Sequence, residues 1–451
     1  MIMTIILERK VSNMSSNGKH LHSIDAGHYK NTSACAAETM PVPDVVKISM
    51  SQHIGAPCKP LVAKGDYVKV GQLIGDTEAF VSAPIHSSVS GTVKAIETQR
   101  SATGGYDTLV VIEPDKEQVI SEEVKVPEVE DLQGFVKAIR NSGLVGLGGA
   151  SFPTHIKYNP KNIDDVHTLI LNAAECEPFI TSDHRTMLED TQDIIDGMKL
   201  IMKYLNLDEA YVGIEGNKPD AIAKLDQMFK EQGLTNMHTF TLQARYPKGA
   251  ERVLVYEITG KEMKAGVLPA DLGIILSNVT SVAFVGQYFR TGMPLINKKM
   301  TVDGDAVKEP KNVIAPIGTQ IHDVIGFCGG YKEAPKKILM GGPMMGRAIY
   351  SDAMPIVKNN NAILAFSKDQ ALIPEETACI NCGRCHAACP FNLLPTALAD
   401  AYDRRDAEAL SNLQVMQCME CGSCSFVCPA RRPLAFINKL GKGVVKEAGI
   451  K

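Results

Sequence analysis

The chain has no surplus of positive charge. Its 47 Lys and Arg residues face 51 Asp and Glu, for a formal net charge of −4 over 451 residues. That balance removes the basic footprint on which nucleic-acid binding depends. The chain also has no apolar run approaching the roughly 20 residues that cross a bilayer. Its opening stretch, Met1 to Leu7, is apolar but short and ends in Glu8-Arg9-Lys10. It has neither the basic start nor the small-residue cleavage site of a secretory signal. Cysteines in such a chain are expected to stay reduced, which points to the cytoplasm and leaves peripheral attachment to a membrane open. Hydrophobic residues make up an ordinary 45% of a chain too long for one core, so several domains are expected.

Cysteine is where the sequence becomes specific. Eight of its 12 cysteines fall into two copies of one pattern, Cys379-x2-Cys382-x2-Cys385-x3-Cys389-Pro390 and Cys418-x2-Cys421-x2-Cys424-x3-Cys428-Pro429. This is the run with which bacterial ferredoxins hold [4Fe–4S] clusters. Three closely spaced thiolates wrap one face of a cubane, and the fourth comes from the other run. Cys379, Cys382, Cys385 and Cys428 are therefore expected to hold one cluster, and Cys418, Cys421, Cys424 and Cys389 the second. Structural zinc prefers two separated C-x2-C pairs, and disulfides need an oxidising compartment, so neither fits a duplicated four-cysteine run. Between the runs, Leu393, Leu394, Ala397, Leu398 and Ala401, then Ala409, Leu410 and Leu413, recur at helical spacing and predict two short helices. Cys35, Cys58 and Cys328 stand alone and read as incidental small thiols.

The remaining chain divides by pattern. Residues 11–40 are rich in Ser, Asn, His and Lys without a period, His20, His22 and His28 included, and a mobile arm is predicted over residues 1–40. Residues 41–115 carry short alternating strands and turn glycines, as in Lys64 to Gly75 and Ser82 to Val93. Residues 130–260 alternate helix and strand. Strands are predicted at Val166–Leu171, Ala210–Ile214 and His238–Leu242, and helices at Asp193–Leu205 and Pro219–Lys230. Such alternation argues a parallel sheet whose ligands sit beyond the strand C-termini. Short strands return over 290–350, at Met293–Asn297 and Lys299–Val302, with Asp303-Gly304-Asp305 as a hairpin turn. The densest glycine cluster, Gly143 to Thr154, suits close backbone approach to a phosphate, although Ser151 stands where the dinucleotide fingerprint has its third glycine.

Several of these segments resemble known modules. Residues 41–115 look like biotinyl and lipoyl carriers, the barrel-sandwich hybrid fold. No lysine occurs between Lys69 and Lys94 and Phe80 lies near the tip, so a swinging arm is excluded and a scaffolding role expected. Residues 286–350 resemble the β-grasp module called SLBB. Gly143 to Tyr158, Asn172-Ala173-Ala174-Glu175-Cys176-Glu177-Pro178, Tyr246 to Glu251 and Ser277-Asn278-Val279 resemble, in order, four motifs of the NADH-oxidising flavoprotein subunit of respiratory complex I. That resemblance implies that Gly146, Gly148, Gly149, Lys157, Asn172, Glu175, Tyr246 and Asn278 hold FMN, and that Phe152, Glu177 and Glu251 position NADH. Ser151, Ala174, Cys176, Ala250 and Ser277 depart from its pattern.

The order of modules, together with Gly341-Gly342-Pro343-Met344-Met345-Gly346, resembles the C subunit of the Rnf complex over residues 40–440. The fold class this implies is multidomain α/β and α+β. A mobile arm (1–40) precedes a barrel-sandwich hybrid domain (41–115) and a Rossmann-like FMN and NADH domain (130–285). An SLBB β-grasp domain (286–350) and a helical dicluster ferredoxin domain (365–440) follow. The implied activity is that of a translocase subunit oxidising NADH through FMN and two [4Fe–4S] clusters. Its implied partners are the other Rnf subunits and, indirectly, ferredoxin, at the cytoplasmic face of the bacterial inner membrane. Alternatives are a cobalamin reductase of bacterial microcompartments, with the domains in another order, and a ferredoxin-like adaptor without flavin.

Overall fold

A computed structural model describes residues 21–102, 104–373 and 375–450. It contains two compact units, one over Asp25–Glu375 and a smaller one built on the chain from Glu376.

The centre of the larger unit is a four-stranded parallel sheet. Its spatial order is Met237–Leu242, Glu209–Glu215, Thr168–Ala173, Ile274–Asn278. The first three strands and the helices Thr191–Leu205 and Pro219–Glu231 match the predicted elements to within about two residues, as element boundaries allow. Leu169, Ile170 and Leu171 are all fully buried, because helices cover both faces of the sheet. The chain has no tryptophan. The aromatic mass of this core comes from Phe135, which stacks on Tyr204 at 4.9 Å and on Tyr158 at 6.1 Å.

On the N-terminal side lies a sandwich of two antiparallel sheets. One comprises Val46–Ser49, Tyr106–Pro114, Gly91–Arg100 and Tyr67–Val68, and the other Lys59–Pro60, Leu73–Asp76 and Ile85–His86. Alternating Val46, Ile48, Val93, Val110 and Ile112 fill the space between them, as the period-2 pattern requires. Phe80 is 80% exposed.

The third layer is a six-stranded mixed sheet ordered Ala37–Thr39, Lys311–Pro316, Asn297–Asp303, Ala362–Phe366, Lys337–Met340, Arg347–Ile349. It corrects three expectations. Met293 to Ile296 is not strand. The antiparallel pair Asn297–Asp303 and Lys311–Pro316 is present, but residues 304–310 connect it, a longer loop than a tight turn at Asp303-Gly304-Asp305. The sheet also recruits Ala362–Phe366 from beyond position 350 and Ala37–Thr39 from the expected mobile arm. That part of the arm is ordered because it completes a sheet edge and because Asn312 donates to Thr32 O at 2.9 Å. The first 20 residues of the arm lie outside the described residues.

In the smaller unit the two predicted helices appear at Pro395–Asp403 and Ala407–Asn412, and the helix Leu434–Glu447 packs against both. Leu398, Leu410, Val415 and Val445 close its core.

The helices Thr191–Leu205 and Val279–Thr291 meet at glycines. A Cβ on Gly197 would stand 2.0 Å from Val282 O, and one on Gly286 would stand 2.1 Å from Asp193 O. Backbone cannot yield there as a flexible side chain would. Gly197→Ala should therefore cost about 1–3 kcal/mol, read as a lower melting temperature. Gly443→Ala, where an added methyl meets nothing within 4 Å, is the control and should be neutral or slightly stabilising.

Candidate functional site

The strand order makes a crevice. The chain turns outward in both directions from the neighbouring strands Thr168–Ala173 and Ile274–Asn278, and ligands of open parallel sheets bind at such a switch point, beyond the strand C-termini. Asn172 and Asn278 are register partners there. Asn172 Nδ2 donates to Gly249 O at 2.7 Å. Asn278 caps the helix Val279–Thr291, accepting from Thr280 N at 3.0 Å and Ser281 N at 3.3 Å, and its Nδ2 donates to Asp183 at 2.7 Å. The N-terminal end of that helix, with its partial positive charge, thus stands beside the crevice.

The glycine loop closes over this point. Gly146 N donates to Phe152 O at 2.9 Å and Ser151 N to Gly146 O at 3.2 Å, while Gly148 and Gly149 stay exposed. A Cβ at 148 would press on the Asn278 side chain at 3.2 Å. Ser151 adopts φ +53°, which explains why a glycine suits the position and shows that serine tolerates it. Groups that sequence reasoning did not anticipate hold the loop from outside. Lys358 Nζ, wholly buried, donates to Gly143 O and Pro84 O, both at 2.7 Å. Burial pushes its pKa down to about 7. Asn359 Nδ2 donates to Gly149 O at 2.8 Å, and Ile54 N to Ser151 O at 3.1 Å.

The other expected residues gather around the same crevice. Lys157 turns its ammonium inward to Leu276 O at 2.8 Å; desolvation lowers its pKa, against the pull of Glu251. Glu251 opens the helix Glu251–Thr259 and is exposed, Phe152 is half-buried, and Tyr246 is buried. Glu175, at φ +52°, accepts Asp183 N at 2.6 Å and His184 N at 3.2 Å. Burial raises its pKa, and Lys30 opposes the rise. Lys30 belongs to the supposed arm, yet its ammonium donates to Glu175 O, Glu177 O and Ile180 O at 2.7, 2.9 and 2.6 Å. No periodic signal surrounds it, so sequence reasoning passed over it. Glu177 accepts Met344 N at 3.0 Å and Met345 N at 2.8 Å.

In the smaller unit the cysteines form two quartets. Cys379, Cys382, Cys385 and Cys428 line one small cavity, and Cys389, Cys418, Cys421 and Cys424 line another. Each cavity takes its fourth cysteine from the opposite run. The two runs also fold alike. Asn381 and Glu420 take positive φ, and Gly383 and Gly422 start the short helices Arg384–Ala387 and Ser423–Phe426 from the left-handed region. Asn381 N donates to Cys379 Sγ and Glu420 N to Cys418 Sγ, each at 3.4 Å. Among the described residues no three or more His, Cys, Asp or Glu side chains are grouped to hold a single metal ion. Burial pushes up the thiol of Cys385 in the first quartet and those of Cys389, Cys421 and Cys424 in the second, so that strong positive charge nearby would be needed to hold them as thiolates.

Burial of Glu177 pushes its pKa up from 4.5 to about 7, beyond what the two amides and Lys30 recover. The native state therefore binds this proton more tightly than the unfolded chain does. The associated stability is complete below about 4.5 and is lost as pH rises through about 7. The stability of the wild type relative to Glu177→Gln should fall across that window in parallel thermal melts. A pH-independent difference would mean that the carboxylate is not desolvated.

The modules match known family models. The Nuo51 FMN-binding domain matches residues 139–287, the RnfC barrel sandwich hybrid domain 21–117, the SLBB domain 299–348 and the 4Fe–4S dicluster domain 371–429. The chain thus carries an FMN domain and a domain for two [4Fe–4S] clusters. It is 43% identical over 385 residues to the C subunit of the proton-translocating ferredoxin:NAD(+) oxidoreductase complex of Clostridium ljungdahlii, covering 84% of this chain and 82% of that protein. It is 40% identical to the C subunit of the Na(+)-translocating ferredoxin:NAD(+) oxidoreductase complex of Acetobacterium woodii, covering 81% and 82%. With the C subunit of the ion-translocating oxidoreductase complex of Rhodobacter capsulatus the identity is 37%, covering 93% and 82%. With these four modules in one chain and this similarity over most of its length, the protein belongs to the RnfC family, the C subunits of ion-translocating ferredoxin:NAD(+) oxidoreductase complexes.

Proposed function

We propose that this chain is the NADH-oxidising, peripheral subunit of a membrane-bound, ion-translocating Rnf complex. The observation that carries the reading is the joining, in one polypeptide, of a flavin-type crevice at a sheet switch point with two four-cysteine cavities. FMN supplies conversion of a two-electron hydride into single electrons, which [4Fe–4S] clusters carry one at a time.

The residues suit these groups. The exposed backbone of Gly148 and Gly149 would offer amide donors to a phosphate and the N-terminus of the helix Val279–Thr291 its partial positive charge, with Lys157 nearby. Asn172, Glu175 and Asn278 line the crevice, and buried Tyr246 lies just before the Gly249 carbonyl that Asn172 holds. Phe152 and Glu251 stand at its margin as candidates to orient NADH. Ser151, Ala174 and Cys176 are accommodated. Ala174 is fully buried, and Cys176 Sγ accepts Gly249 N at 3.3 Å.

Cys379, Cys382, Cys385 and Cys428 would hold one cluster and Cys389, Cys418, Cys421 and Cys424 the other. Electrons would leave to membrane subunits at the cytoplasmic face, with ferredoxin served through the complex. No described helix is long and apolar enough to cross a membrane.

Anaerobically purified protein should release flavin on acid treatment, and NADH should bleach it. Cys382→Ser should leave that bleaching intact while abolishing reduction of distal acceptors. By EPR, Cys428→Ser should remove the same cluster signal as Cys382→Ser, and Cys389→Ser the same signal as Cys421→Ser. Pairing of Cys428 with Cys424 instead would refute the crossed ligation. Protein without flavin would refute NADH oxidation.

A further inference from the structure

Two of the loops at the mouth of the crevice come from the six-stranded sheet, not from the parallel one. The segment 358–362 touches both sides. Asn359 Nδ2 donates to Gly149 O at 2.8 Å, and Ser182 Oγ donates to Asn361 O at 3.2 Å. Gly341 N donates to Ala362 O at 2.8 Å, which seats the turn 341–346 beside the 175–183 segment.

This turn is folded around a carboxylate. Both oxygens of Glu177 are engaged, by Met344 N at 3.0 Å and Met345 N at 2.8 Å. Gly346 N closes the turn on Gly342 O at 2.8 Å. A Cβ at 342 would stand 2.3 Å from Glu177 Oε2, so glycine alone lets the turn settle onto the acid. Without the carboxylate, two adjacent N–H groups lose their acceptors and the turn loses its seat. Held this way, Met345 is 56% exposed: an adaptable apolar thioether presented at the rim.

We propose that the Met344–Met345 turn is the outer wall of the dinucleotide site, offering an apolar face to the nicotinamide. In this proposal Glu177 is a positioning residue that acts through the turn and not a direct ligand of NADH. The inference rests on the chain being an NADH oxidiser. It makes the β-grasp layer part of the site and not only scaffolding.

The test is a double-mutant cycle on the full-length, FMN-loaded protein under anaerobic conditions. The NADH dependence of the flavin bleaching rate separates the Kd for NADH from the limiting rate. Glu177→Ala and Gly342→Ala should each raise Kd about tenfold, the scale of one hydrogen bond to a charged group, with FMN content unchanged. The double variant should be no worse than either single one, because both remove the same seated turn. Glu177→Gln, which keeps one acceptor, should fall between. Multiplying effects, about a hundredfold in the double variant, would show that Glu177 meets NADH independently of the turn and would overturn the proposal. An unchanged Kd in Gly342→Ala, or loss of FMN from either variant, would also overturn it. Wild-type flavin that NADH cannot bleach would instead defeat the underlying reading, and the inference with it.

Discussion

Everything at the crevice depends on one parallel pairing, between Thr168–Ala173 and Ile274–Asn278. The two strands are far apart in sequence, and the chain between them makes the rest of the sheet and returns. Their union sets Asn172 beside Asn278, starts the helix Val279–Thr291 at the crevice, and gives the glycine loop an asparagine to rest on. The close contact of that helix with Thr191–Leu205, made through Gly197 and Gly286, fixes the height at which its N-terminus stands.

Around this frame the polar groups come from outside the flavin domain. Lys30 precedes the sandwich, Ile54 lies in it, and Lys358 and Asn359 just precede the strand Ala362–Phe366. Each supplies donors to carbonyls that a loop leaves without partners, which is the cost of building a binding loop from irregular backbone. The three layers of the larger unit are thus tied at the site itself. A flavin domain cut out at residues 130 and 285 would lack all four.

Much of this was legible in sequence, and the reasons differ by element. The cysteine runs carry a spacing that few ligands other than a cubane demand, so eight residues and their crossed grouping could be read directly. The parallel sheet showed because strands buried on both faces form short apolar runs such as Leu169 to Leu171. The crevice residues came from resemblance, since an asparagine capping a helix looks like any other. Lys30, Asp183, Lys358 and Asn359 were not legible, because their partners are main-chain carbonyls or distant side chains and leave no pattern. Residues 21–40 misled for the same reason: a polar segment without period is ordered here by a sheet edge and three hydrogen bonds from one ammonium.

The exchange of Cys389 and Cys428 between the two cavities has a meaning for biosynthesis. A ribosome that has released the first run has made three walls of one cavity and a single wall of the other. Neither quartet is complete until the third cysteine of the second run, Cys424, has emerged. Both cavities therefore wait on the second run: a chain truncated before Cys428 closes only one of the two, and one truncated before Cys418 closes neither.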